Sequence, residues 1–233
     1  MVFMKRLLVL FFCFFWGGYL NLISSQSNLN FKAFSKDTAN SFKDLKSNNE
    51  EAVYNYILAF EIPDSYGGAS NSGIKIEYYT KAITLDDSFI DAYLNRGFEY
   101  AKLGQNTEAL EDFNKAISID NTNPKGFVNR GLIFSIIKSR EKAISDFKKA
   151  IELNPKYALS YANLGREYHL IGDSKKAITV FNDGIKAAPN FGELYKNRGI
   201  AKKALHISHC DDYKKACELG TYECCGWYDR DCK

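Results

Sequence analysis

Tyr-Leu-Asn-Arg-Gly at 93–97, Phe-Val-Asn-Arg-Gly at 127–131, Tyr-Ala-Asn-Leu-Gly at 161–165 and Tyr-Lys-Asn-Arg-Gly at 195–199 are one motif repeated at a fixed step of 34 residues. A period of that length marks stacked helical units, each too small to bury its own apolar face alone. Such an array is extended and offers a groove rather than an enclosed pocket, so the period argues for binding before catalysis.

Three full units follow from the motif, at 90–123, 124–157 and 158–191. Each holds two apolar-periodic stretches, which predict helices over 89–103 and 107–119, 123–137 and 140–153, and 157–171 and 174–187. Pro155 and Pro189 close second helices, Pro124 opens a first helix, and Gly104 and Gly172 suit the turn inside a unit. Upstream, 49–89 is a degenerate first unit, with helices near 50–62 and 74–85 split by a Gly-rich loop. Downstream, 192–220 is a unit two residues short, and 221–233 is a Cys-rich cap over the last apolar face.

The slots within the period resemble the tetratricopeptide repeat family. Counted from 90, 124, 158 and 192, the fourth slot is aromatic (Tyr93, Phe127, Tyr161, Tyr195) and the eighth is Gly97, Gly131, Gly165 and Gly199. The second helices carry Ala109, Ala143 and Ala177, then Phe113, Phe147 and Phe181. Departures are Gly184 for a late alanine, Asn121 for a closing proline and Lys202 for an aromatic. The resemblance implies an all-α, right-handed solenoid of about four to five helix pairs with a Cys-rich capping helix. It also implies a protein-binding scaffold whose first helices line the concave face.

On that face the resemblance selects Asn95, Asn129, Asn163 and Asn197, all at the sixth slot. An amide both donates and accepts, so a row of them can hold the backbone of an extended peptide whatever its side chains. The plainer alternative is that these amides only solvate the groove. Beside them stand apolar Leu94, Phe98, Val128, Leu132, Ile136 and Leu170, and Lys102, Lys125, Arg166, His169, Lys196 and Lys203. The mixture suits an amphipathic or acidic-hydrophobic peptide. The family's clamp for acidic chaperone tails does not carry over, because the ninth slots hold Phe98, Leu132, Arg166 and Ile200. Arg96, Arg130 and Arg198 at the seventh slot are expected to form salt bridges between units.

Residues 7–22 are mostly apolar behind Lys5 and Arg6, and Ser24–Ser25 offers a small-residue cleavage site. We expect a signal peptide at 1–25, a tether at 26–48 and an exported product, periplasmic or secreted, without a membrane span. An uncleaved anchor is the alternative. The composition is that of an ordinary globular chain, 45% hydrophobic and 25% charged. Without Lys5 and Arg6, 29 basic residues face 28 acidic ones. That balance gives no electrostatic case for nucleic acid.

Export makes Cys210, Cys217, Cys224, Cys225 and Cys232 disulfide candidates. Folding back at Gly220 favours Cys210 with Cys232 and Cys217 with Cys224. Cys225 is then left over, free to link a second chain. The competing reading is zinc at His206, His209, Cys210 and Cys217, whose spacing matches no common zinc frame. No phosphate loop, carboxylate pair or nucleophile motif is present, so no catalytic residue, metal or cofactor is assigned. Self-association, or zinc or thiol chemistry in the tail, stands as the alternative function.

Overall fold

A computed structural model of the chain describes residues 45, 47–66 and 69–232. The expected signal peptide and most of the expected tether lie outside the described residues. Eleven helices are described: α1 (Glu50–Glu61), α2 (Ser72–Leu85), α3 (Ile90–Lys102), α4 (Asn106–Ile119), α5 (Pro124–Ile136), α6 (Arg140–Leu153), α7 (Ala158–Leu170), α8 (Ser174–Ala187), α9 (Gly192–Ala204), α10 (Cys210–Glu218) and α11 (Glu223–Cys232). Between α1 and α2 two short strands, β1 (Ser65–Tyr66) and β2 (Ala69–Ser70), pair antiparallel. Among the described residues no helix is long and apolar enough to cross a membrane.

The helix ends follow from the sequence. Asn49, Asn123 and Asp173 accept hydrogen bonds from the first free amides of α1, α5 and α8. Inside each unit the chain turns at one slot with positive φ: Gly104 (74°), Lys138 (61°), Gly172 (88°) and His206 (57°). Gly adopts that conformation freely, whereas Lys138 and His206 are held there by the same two closing backbone hydrogen bonds.

Pairing of the two helices in a unit rests on the eighth-slot glycines. A Cβ on Gly97 would lie 2.7 Å from the Phe113 ring, on Gly131 2.7 Å from Phe147, on Gly165 2.3 Å from Phe181, and on Gly199 2.6 Å from Tyr213. Each of those rings is buried, so the glycine is the space the ring fills. Gly184 is explained in the same way, since its Cβ would meet Tyr161 at 2.7 Å.

Each helix packs on its neighbours in sequence, and successive first helices α3, α5, α7 and α9 also touch one another. First helices therefore crowd the inner side, which makes it concave. The seventh-slot arginines do not form the expected salt bridges between units. Arg96 and Arg130 grip Asp112 and Asp146 with two nitrogens each, 16 residues on in the same unit. Arg198 holds Asp212 likewise. Only the third nitrogen crosses to the preceding unit, onto Thr80, Asn114 or Asn182. The guanidinium is long enough to fork inside its own helix pair and still reach back one helix.

The cap closes the solenoid as expected, with one correction. Cys210 is bonded to Cys232, but Cys217 is bonded to Cys225 rather than to Cys224. Among the described residues Cys224 is the free thiol, and it is fully buried with Tyr213 and Ala216. Helix phase decides this: Cys224, Trp227 and Tyr228 stand at i, i+3 and i+4, so they share the inward face, and Cys225 is turned aside.

Candidate binding groove

The concave positions divide into three zones. At the N-terminal end, Asn95 is already engaged, its Nδ2 donating to Tyr56 Oη at 2.7 Å. Lys102 pairs with Asp64 at 3.0 Å and with Glu99 at 3.1 Å, and its ammonium lies over the half-exposed Phe98 ring. Lys75, nearly buried, joins the same cluster at 2.6 Å from Asp64. Hydrogen bonds from Lys75 and Lys102 hold the Asp64 carboxyl down to about 2. A cleft of about 400 Å³ opens here, lined by Phe60, Pro63, Asp64, Lys75, Asn95 and Phe98. Phe60, Asp64 and Lys75 were not among the residues the sequence singled out. Their only signal is a charge, Lys75, on an otherwise inward helix face.

The centre spans α5 and α7. Asn129 is half-buried and Asn163 almost fully buried; neither amide makes a hydrogen bond within the described residues. Lys125 and Arg166 are exposed, Leu132 is half-buried, and Ile136 and Leu170 are exposed by 60% and 53%. Leu94 and Val128 are not groove residues: both are buried in the core, because the fifth slot faces the neighbouring helix. Beneath this floor Glu167 is wholly buried, accepting from Ser135 Oγ and from Arg140 Nη1, the latter at 2.7 Å. That pair locks the third full unit to the second.

His169 is held by its own unit, with Nδ1 2.8 Å from Ser174 Oγ. Serine and histidine so placed can form a nucleophile and its base, but Ser174 is buried at the start of α8 and out of a substrate's reach. The contact staples the turn between α7 and α8.

The C-terminal end is taken up by the cap. Lys196 contacts Glu193 at 2.7 Å and Glu223 at 2.6 Å, and Lys203 contacts Asp231 at 2.5 Å. Burial opposes the charge on Lys196, yet the two carboxylates outweigh it and raise its pKa. Hydrogen bonds from Arg230 and Lys203 likewise hold the Asp231 carboxyl well below its ordinary range. Lys196 and Lys203 thus fasten α11 to α9. Asn197 remains half-buried beside them.

A solenoid of helix pairs with an open inner face is the architecture of a scaffold. Sequence profiles of the tetratricopeptide repeat match residues 90–123, 124–157 and 147–179. The chain belongs to the tetratricopeptide repeat family, and its fold is that of a protein–protein interaction scaffold. Among solved structures, MamA is similar at 26% identity and a TM-score of 0.56, over 66% of this chain and 91% of that one. YrrB, described as a TPR protein with an unusual peptide-binding site, aligns at 19% identity and a TM-score of 0.55, over 82% and 94%. TTC0263 of Thermus thermophilus, a thermophilic TPR protein, aligns at 16% identity and 0.62, over 77% and 97%. The last two likenesses show the fold alone. A search of the curated proteins finds no match.

Proposed function

We propose that this chain is a non-catalytic scaffold that holds an extended segment of a partner protein across α5 and α7, outside the cytoplasm. The observation that carries the reading is the central zone itself. On α7 exposed Arg166 and Leu170 stand one helical turn apart, and α5 offers exposed Lys125 at its start and Ile136 at its end, with the Asn129 amide making no hydrogen bond within the described residues. Apolar side chains and cations together suit an acidic-hydrophobic segment, and the amide can bind its backbone. The expected groove ends contribute less, since Asn95, Lys196 and Lys203 are spent on internal contacts. Two disulfides in the cap support an oxidising compartment, in line with the apolar N-terminal stretch.

The test is affinity capture with two baits of equal helicity, the chain and its Asn129→Ala/Arg166→Ala variant. A partner held by the first and lost by the second, with fragment affinity at least about tenfold weaker, is the expected result. Identical partner sets would refute groove binding.

One observation favours a second surface. Leu103, Ile137 and Ile171 recur at one slot, the residue just past the first helix of each full unit, and are 44–50% exposed, which marks an edge of the three full units. Self-association through that edge is the alternative. Concentration-dependent mass, abolished by Ile137→Asp/Ile171→Asp and indifferent to the groove variant, would identify it.

A further inference from the structure

The cap contains more than its disulfides. His209 is the residue before α10, Cys210 opens that helix and Cys232 closes α11. A ring nitrogen of His209 and the two sulfurs all lie within 4.8 Å of one another. The spacing of 209, 210 and 232 along the chain marks no such group; the fold-back of α11 on α10 assembles it.

The state of the imidazole points to a ligand. His209 Nδ1 lies 3.2 Å from the carbonyl oxygen of Ile207. A carbonyl only accepts, so Nδ1 carries the proton, and in the neutral ring Nε2 is then the nitrogen with a free lone pair. His209 Nε2 is buried and meets no hydrogen-bond partner within the described residues. A buried acceptor left so is costly. A backbone carbonyl fixing the distal nitrogen is also how proteins orient a histidine for metal. Cys210 stands at a helix start, where the helix dipole favours the negative charge that a metal-bound sulfur carries. All three residues are half-buried, which leaves room for entry and for a solvent oxygen as fourth ligand.

We propose that His209, Cys210 and Cys232 form a site for a thiophilic divalent cation, zinc by preference, when the Cys210–Cys232 bridge is reduced. One nitrogen and two sulfurs are zinc's preferred donors. The chemistry runs in two steps. A phosphine attacks one sulfur and the S–S bond breaks; water then gives its oxygen to phosphorus and its two protons to the sulfurs, so that the disulfide is reduced by two electrons and the phosphine leaves as its oxide. The cation then binds both sulfurs as thiolates and releases those protons. Two bonds of about 2.3 Å at a tetrahedral angle need sulfurs roughly 3.8 Å apart. Side-chain rotation provides this across a Cα–Cα distance of 5.7 Å. The metal thereby ties α11 to α10 after the covalent link is opened. This inference does not depend on the groove reading.

Cobalt(II) is the probe. The whole chain is reduced with a phosphine, freed of reductant without oxygen, and titrated with cobalt and then zinc. One equivalent of cobalt should give thiolate-to-metal absorption and tetrahedral visible bands, both removed by zinc, and the disulfide form should give neither. Cys210→Ser/Cys232→Ser should abolish the bands, and His209→Ala should weaken binding at least about tenfold. Cys217→Ser/Cys224→Ser/Cys225→Ser should keep them. Circular dichroism on each variant checks that helicity is retained. No uptake by the reduced wild-type chain would overturn the site. So would bands that survive loss of Cys210 and Cys232, that ignore His209→Ala, or that vanish in the triple variant.

Discussion

At the scale of single residues, the chain carries its own internal control. Where the seventh slot is Arg96, Arg130 or Arg198, an Asp and a Thr or Asn stand where the fork needs them. In the remaining unit the seventh slot is Leu164, and the two partner slots hold Val180 and Lys148. Arginine and aspartate thus come or go as a pair. In the fork Asp146 is 8% exposed and Arg130 22%. Arg130→Leu should therefore leave a nearly buried carboxylate unpaired and cost about 2–3 kcal/mol, less than for a fully buried pair because the site is partly wet. Adding Asp146→Val copies the third full unit and should recover most of the loss. Urea unfolding of the two single variants and the double gives the coupling directly; strict additivity would show that the fork is not a unit. The sequence shows these arginines plainly but not their partners. Spacing alone does not reveal that a side chain can grip 16 residues forward and 16 back.

At the scale of elements, the helices from α1 to α8 were legible to within a residue or two, because apolar period, caps and prolines agree with one another. The pairing of β1 with β2 was not, since a Gly-rich loop carries no period to read. The cysteine pairing was legible only in part. Fold-back at Gly220 gave Cys210 with Cys232, while the choice between Cys224 and Cys225 depended on the phase of α11, which Trp227 and Tyr228 set. Burial pushes the Cys224 thiol up to about 11. In the chain from Gln26 on, which lacks Cys13, it should resist a maleimide for hours in the native state at pH 8, and in denaturant one equivalent should react. The folded pKa is the raised one, so the folded state keeps a proton that the unfolded chain loses. Stability from this group is intact at low pH and should fall as pH rises from about 9 to about 11. Rapid native labelling would mean that α11 opens readily. A thiol so placed is also unsuited to joining two chains, which removes the basis for the expected disulfide-linked oligomer.

At the scale of the whole molecule, the groove was legible as a face but not in its extent. The sixth-slot row is regular along the chain, yet its first member is spent on Tyr56, and the lysines at its far end are spent on the cap. Those contacts are long-range in sequence, so no local pattern announces them. The cap has a consequence for number. Every unit presents to the next a surface shaped to receive another copy of itself, and the last one, with Tyr195, Ile200, Tyr213 and Ala216, is no exception. Covering it with α11 is what makes the count of units finite. A chain ended at Gly220 should keep its remaining helices but associate as concentration rises, which light scattering would register; a strictly monomeric truncation would contradict this. In polymer terms α11 is a chain terminator, and the bridge at Cys210 and Cys232 is what keeps the growing end closed.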